Sequence, residues 1–413
     1  MSATKPNVVL ARILPGFLLV LVALGVAAYA TQLRNGLGVT GLARETPWGL
    51  YISQFTFLVG IGASAVTVLL PYYVHRQKLF GRALILGEVV AIIALVQALL
   101  CILVDLGQPA RLLNILLYPS PSSLMFWDCL TLGMYLALSV VGLAAVLFAR
   151  ERGPAPWVRG LALATIPWAI GIHVVTALLY AGLAARPAWM SAVLAPRFLA
   201  TAFASGPALL ILLAGRLARA KLFDIGREAV DRLSVVMTYA ALASLLLALL
   251  EAFTALYSGI PVAGEHLTYL FVGLEGHAGL VAFTYGSWLL LVLALVVLLV
   301  PRLRGRPGLH TAAAAAILAS VLIDKGLCLV SSGFVPSSLG YVRDYWPSFI
   351  ELAIVAGIYA GGGLAFLAAC RWLLADHAQL RVTQTSNPQT HAFDESPSTA
   401  REPGMAGVAQ MEN

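Results

Sequence analysis

Residues 84–104 read LILGEVVAIIALVQALLCILV, a run of 21 positions with one charge, Glu88. At a rise of about 1.5 Å per residue, a helix of this length matches the roughly 30 Å of a bilayer's hydrocarbon core. Arg82 precedes the run and Asp105 follows it. A helix is the form in which such a segment satisfies its own backbone in lipid. The stretch is therefore read as a membrane span, and the rest of the chain repeats it.

Nine further apolar runs occur, at about 13–32, 49–71, 125–148, 159–181, 197–215, 234–257, 278–300, 311–330 and 348–370. Arg197 and Gly206-Pro207 interrupt the sixth span. The first ends in Ala28-Tyr29-Ala30, which mimics a signal-peptidase site, but its length favours an uncleaved span. The composition agrees. Of 413 residues, 60% are hydrophobic and 11% charged, against roughly 25% charged in soluble domains. Mean hydropathy is +0.89. The fold class expected is all-α: a polytopic membrane protein of about ten transmembrane helices.

The net charge of +7 is no nucleic-acid signal, because the basic residues sit in short loops between spans. With the N-terminus inside, nineteen Lys and Arg residues fall on the inner side and six on the outer: Arg34, Arg44, Arg111, Arg186, Arg197 and Arg343. Lys325 lies within a span. Both termini are then cytoplasmic, in the cell (inner) membrane of a bacterium or archaeon. Inner loops are short and basic. Outer ones are rich in Pro, Gly and aromatics, as in Pro119–Trp127 and Gly333–Gly340, and suit re-entrant turns or docking surfaces. The polar tail, 379–413, is expected to be disordered.

Ionisable side chains inside or at the rims of spans usually line a cavity, pair with one another or carry protons. Asp105, Asp128, His173, Glu251, His277, Asp324, Lys325 and Glu351 all fall towards the outer side, and Glu88 lies nearer the cytoplasm. Counting along the helices puts His173 about 12 Å and Glu251 about 10 Å below the outer face, with Asp324 and Lys325 slightly shallower. Each has a plainer reading. Asp105 and Arg111 can simply pair, Asp128 can cap its helix, His173 can pack, Glu88 can be a protonated buried acid, and Lys325 can neutralise Glu251 or Glu351. Asp324 and Lys325 are neighbours on a helix, so they seek different partners.

No phosphate loop, nucleophile triad or metal-ligand spacing occurs. The four cysteines, Cys101, Cys129, Cys328 and Cys370, lie within or at the end of spans without CxxC spacing, so neither disulfides nor an iron–sulfur cluster is expected in this chain. Bis-histidine haem needs two facing intramembrane histidines, and His173 alone is deep enough. Carboxylates and one imidazole among apolar walls suit a quinone, whose two-electron reduction takes up two protons.

Thr46-Pro-Trp-Gly-Leu-Tyr-Ile-Ser53 opens a series of seven motifs that resembles the NrfD/polysulfide-reductase membrane-subunit family. The series continues through Asp105-Leu-Gly-Gln-Pro-Ala-Arg111, Ser123-Leu-Met-Phe-Trp-Asp128, His173-Val-Val-Thr-Ala177, Ala195-Pro-Arg-Phe-Leu-Ala200 and Leu274-Glu-Gly-His277. It ends with Asp324-Lys325 and Gly333-Phe-Val-Pro336. The likeness covers about 45–370 and is greatest to the ten-span branch of DsrP and HmcC, DsrP above all. It implies a peripheral first span in segment 1–44, four-helix bundles in 45–182 and 183–331, an outer loop and peripheral last span in 332–378, and the tail. It also implies a quinone (menaquinone or ubiquinone) as substrate, in the first bundle near the outer face. The residues this favours are His173, Asp128 and Asp105 as proton-exchanging groups, with Arg111, Trp48, Tyr51 and Gln54 as binding groups. Glu88, Glu251, His277, Asp324 and Lys325 are left as proton-path candidates. The partners implied are a ferredoxin-like iron–sulfur subunit at the outer face, a multihaem cytochrome c, a haem b membrane subunit and a cytoplasmic iron–sulfur subunit, with a link to sulfur metabolism. Two other readings stand beside this one: a secondary transporter, and a passive membrane anchor for redox subunits.

Overall fold

The computed structural model describes residues 8–148, 156–259, 261–337 and 340–374; the tail 379–413 lies outside them. Ten helices are long and apolar enough to cross a membrane. They are α1 (Val8–Asn35), α2 (Leu50–Tyr73), α3 (Gly81–Asp105), α4 (Leu124–Phe148) and α5 (Pro156–Ala181), then α6 (Leu194–Arg219), α7 (Arg227–Tyr257), α8 (Val281–Leu299), α9 (Pro307–Ile323) and α10 (Phe349–Ala369). Through a π-helical turn, Asp324–Cys328, α9 runs on to Ser332. No strand occurs among the described residues beyond one bridge, Leu274 to His277.

The sixth span is one unbroken helix despite Gly206-Pro207. Neighbouring helices compensate for the backbone bond that an intramembrane proline removes. The helix begins three residues before the apolar run, at Leu194, so Arg197, which the charge count assigns to the outer side, sits inside its first turn.

Helices α2 to α5 pack around one another, and α6 to α9 form a second group; α2 and α5 meet α6 at the seam. The most buried helix is α2, which faces both groups. In contrast, α1 is largely exposed and lies along α10, which in turn rests on α3. The α1–α10 crossing is close because Gly25 meets Gly357: a Cβ on Gly25 would sit 2.8 Å from the Gly357 Cα. Ser348 starts α10 with a capping box. Its hydroxyl accepts from Glu351 N, and Glu351 Oε2 accepts from Ser348 N.

The longer connections, 36–49, 106–123, 182–193, 258–280 and 333–348, all gather at one end of the helices. This loop-rich face carries most of the polar structure.

Candidate functional site

At the loop-rich end of the first group, a cavity of about 530 Å³ opens between α2, α3, α4 and α5. The chain makes it by ending α3 at Asp105 and turning into two short helices, Pro109–Leu113 and Asn114–Leu117, before α4 begins. Arg111, Asn114 and Tyr118 line it from that segment. Asp105 enters from the end of α3, Asp128 from the first turns of α4, and Tyr180 from α5. Trp48, Ile52 and Phe55 form the wall on the α2 side.

The two acids differ in environment. Asp128 is buried, and its Oδ1 accepts a 2.6 Å hydrogen bond from the Thr176 hydroxyl of α5. Asp105 Oδ1 is buried without a hydrogen-bond partner. An unsatisfied buried acceptor is costly, and this residue lines the cavity. Asp105 and Arg111 face the same cavity and form no ion pair, against the simple pairing that the sequence allows.

The aromatic wall is braced from behind. Trp48 meets Tyr180 edge-on at 5.3 Å and stacks on Trp189 at 5.6 Å. Trp189 packs against Phe334 at 5.1 Å, and the Arg186 guanidinium lies 4.4 Å over the Phe334 ring. Arg186 lies outside the spans, and burial pulls its pKa below the usual arginine value. Tyr180 is further fixed by a 2.5 Å hydrogen bond with the Thr56 hydroxyl.

Three residues expected at this site lie elsewhere. Tyr51 is buried behind α2 and donates to Gln32 Oε1 at 2.6 Å, tying α1 to the core. Gln54 faces the opposite side of α2, where it accepts from Tyr359 and donates to the Gly326 carbonyl. His173 is one turn below Thr176 and does not line the cavity. Its Nδ1 bonds the Ala169 carbonyl at 2.7 Å, and its Nε2 is buried without a partner against the Gly60 backbone. Counting residues gives depth along a helix but not the direction in which a side chain points.

The second group holds an ion-pair cluster. Arg197 bonds Glu251 at 2.5 Å and grips both oxygens of Asp324 at 2.8 Å. Arg197 was not among the candidate site residues of the sequence reading. The available signal was that Lys325 alone could not neutralise both Glu251 and Asp324 at that depth. Small cavities of about 50 Å³ and 20 Å³ flank the cluster, lined among others by His266, Thr284 and Ser287, and by Ser244, Ser287 and Ser320. Each has room for water, which needs roughly 10–15 Å³ and polar partners.

Lys325 joins neither Glu251 nor Glu351, which corrects the sequence expectation. The π-helical turn sends it away from Asp324, and its Nζ lies 3.9 Å over the Phe198 ring with no hydrogen-bond partner. Glu351 is structural. It accepts from Tyr345 at 2.5 Å and from Gly41 N at 2.6 Å. Outside the ion-pair cluster, His277 Nδ1 is 3.0 Å from Asp344, which also accepts from Tyr269. Glu88 lies on α3 beside Ser139 of α4, with Oε2 unpartnered. Among the described residues no cluster of His, Cys, Asp and Glu is arranged to hold a metal.

The family described as polysulphide reductase, NrfD, matches residues 38–335. Over 407 residues the chain is 28% identical to a putative dimethyl sulfoxide reductase membrane subunit of Halobacterium salinarum, covering 87% of this chain and 90% of that one. It is 24% identical over 411 residues to a selenate reductase subunit of Mesobacillus selenatarsenatis, covering 89% and 95%. It is 26% identical over 201 residues to an Hdr-like menaquinol oxidoreductase integral membrane subunit of Archaeoglobus fulgidus, covering 47% and 49%. With ten spanning helices and a family match across most of its length, the chain is a multi-pass membrane protein that belongs to the polysulphide reductase NrfD family.

Proposed function

We propose that this chain is the quinone-reactive membrane subunit of an oxidoreductase complex, and that the cavity at Asp105 and Asp128 is its quinone site. The observation that carries this reading is the pairing of two buried carboxylates with apolar and aromatic walls in one cavity of about 530 Å³. A hydroquinone ring has two hydroxyls to donate and two faces to bury. Asp105 Oδ1 supplies an unused acceptor, and Asp128 a second acid aligned by Thr176. Oxidation of the hydroquinone releases two electrons and two protons. The carboxylates take the protons, and an iron–sulfur partner docked at the loop-rich face takes the electrons one at a time. Reduction runs the same steps backwards. No cofactor of the subunit's own enters this scheme.

The topology follows. The excess of basic residues in the loops at the other end supports a topology with the loop-rich face outside and both termini cytoplasmic. Relatives named for dimethyl sulfoxide, selenate and menaquinol oxidoreductases support membership of a multisubunit complex. A tetrathionate reductase subunit of Salmonella typhimurium, 30% identical over 154 residues, favours a terminal substrate that is a sulfur compound, as in the DsrP branch. A passive anchor would have no use for a buried, unpaired Asp105 oxygen.

The test is titration of the purified complex with a quinone analogue, alongside quinol turnover. Asp128→Asn and Asp105→Asn are expected to lower turnover by on the order of 10²-fold or more, the usual scale of a lost acid–base group. Wild-type turnover and analogue affinity in both variants would sink the assignment.

A further inference from the structure

On the side of α2 away from the Asp105 cavity, a groove of about 670 Å³ lies within the spans. Helices α2 and α3 form its floor, α6 and α9 one flank and α10 the other. Its polar side chains are tied to the protein. Tyr359 donates to Gln54 Oε1 at 2.7 Å, and Gln54 Nε2 donates to the Gly326 carbonyl at 3.1 Å. Gln97 Nε2 donates to the Ile358 carbonyl at 2.9 Å. All other walls are apolar. An apolar space of this kind stays dry, because water needs polar partners. At the depth of the hydrocarbon core it suits a hydrocarbon chain.

Helix α10 is pinned across this space at few points. Two are the hydrogen bonds of Tyr359 and the Ile358 carbonyl. A third is Gly362, where a Cβ would collide with the Gln97 amide. On the other flank of α10, towards α1 and α3, a cavity of about 490 Å³ shares Ile93, Gln97 and Gly362 with the groove. Protein interiors hold few voids larger than a water molecule, so whatever fills these spaces helps to seat α10.

The end of the groove away from the loop-rich face leads to positive charge. Leu209, Leu212 and Leu213 line it from α6, and Arg216 continues the same helix face one turn further. Ala315, Leu318 and Leu322 line it from α9, and Arg306 immediately precedes that helix. Helices α6 and α9 run in opposite directions and pack together, so the ends that carry Arg216 and Arg306 are neighbours. Both arginines are exposed, and among the described residues neither is in an ion pair. Arg302 and Arg304 add to the charge, and no acid lies between α8 and α9. The acids of this end have other neighbours. Glu228 faces Arg232 at 3.9 Å, Asp224 accepts from Gly226 N, and Asp231 lies by His310.

We propose that this groove binds one anionic phospholipid from the leaflet at the end opposite the loop-rich face. One acyl chain lies between α10 and the α6–α9 pair, and Arg216 and Arg306 hold the phosphate. Basic residues at a membrane surface attract anionic lipid in general. Here the groove gives the chain a fixed seat beside them. The chain completes the packing under α10, and the arginines choose the headgroup. The site has no part in the quinone chemistry above and does not depend on it.

The test uses the assembled complex in detergent, stripped of loosely held lipid. Phosphatidylglycerol, phosphatidylcholine or inorganic phosphate is then added back. Native mass spectrometry counts bound lipid, and the thermal unfolding midpoint reports the seating of α10. Wild type is expected to keep one phosphatidylglycerol more than Ala319→Phe, which puts a ring into the groove. Its midpoint should rise with phosphatidylglycerol and stay unmoved by phosphate. The double variant Arg216→Gln, Arg306→Gln should bind phosphatidylglycerol more weakly by on the order of fivefold for each arginine removed, the scale of one basic residue at an anionic surface. Its affinity for phosphatidylcholine should match that of wild type. Equal binding of the two lipids by wild type would mean bulk lipid only, and overturns the site. So does an equal rise in midpoint with inorganic phosphate, or full lipid retention in Ala319→Phe. Should Ala319→Phe fail to assemble, the headgroup comparison between wild type and the arginine variant still decides.

Discussion

The Thr176 hydroxyl of α5 donates a 2.6 Å hydrogen bond to Asp128 Oδ1 of α4, and so fixes the direction in which that carboxylate meets the cavity. Thr176→Val keeps the shape and removes the donor. A hydrogen bond to a charged group contributes about 1.5–3 kcal/mol. The variant is expected to lose at least about tenfold in kcat/KM for quinol, with the fold intact. Steady-state kinetics beside a thermal unfolding curve check this.

Arg197 serves two carboxylates at once. Arg197→Met strands the buried Glu251 and the half-buried Asp324 without their cation; removing one partner of a fully buried pair costs about 3–5 kcal/mol, and the exposure of Asp324 puts this case at or below the low end. We expect a lower unfolding midpoint in detergent. Recovery of the midpoint in the triple variant Arg197→Met, Glu251→Gln, Asp324→Asn would show that the loss came from the stranded charges. A triple variant no more stable than Arg197→Met would refute that cause.

Gly333 lies beneath Trp189, whose indole fills the space that a Cβ would need and whose Nε1 donates to the Leu329 carbonyl. Gly333→Ala forces the indole off this seat. Overpacking of this kind costs about 1–3 kcal/mol. Because Trp189 stacks on Trp48, the displacement should also weaken quinone-analogue binding, read by titration. Unchanged affinity would show that the cavity wall does not depend on this brace.

Glu45, in the loop before α2, is held below the usual carboxylate range. The first cause is a hydrogen bond to its own backbone, followed by one from Tyr341 and the charge of Arg343. A depressed acid stabilises the native loop at pH values above its unfolded pKa, and that support is lost as pH falls through the folded value. Protection factors of the amides around 43–49, taken relative to the intrinsic exchange rate at each pH, should therefore fall on acidification below the ordinary glutamate range, and Glu45→Gln should show the lower protection at neutral pH.

The ten spans were legible because an apolar run of bilayer length fits little else than a helix in lipid. Even Gly206-Pro207 did not break α6. Asp105 and Asp128 were legible as acids at the outer ends of spans, Arg111 and Trp48 were singled out by the family resemblance, and all four line the cavity. Azimuth was not legible. Gln54 and Tyr51 face away from the cavity, although Ile52 and Phe55 beside them line it. His173 and Lys325 were read at the right depth but not towards each other. Only the packing of α2 between the helix groups brings both to Gly60. Arg197 was lost because an arginine at the edge of an apolar run reads as loop, and the carboxylates that draw it inward lie 54 and 127 residues away.

The Gly25–Gly357 crossing bears on how the chain is made. Helix α1 finds its main partner, α10, only after the eight spans between them have been made. Until then α1 waits in lipid as a loose stave, and the outer flank of α3 stays bare. The two peripheral helices thus act as a clasp that closes after the spans between them. A protein truncated before α10 would leave that clasp open, marking it for the cell's quality control.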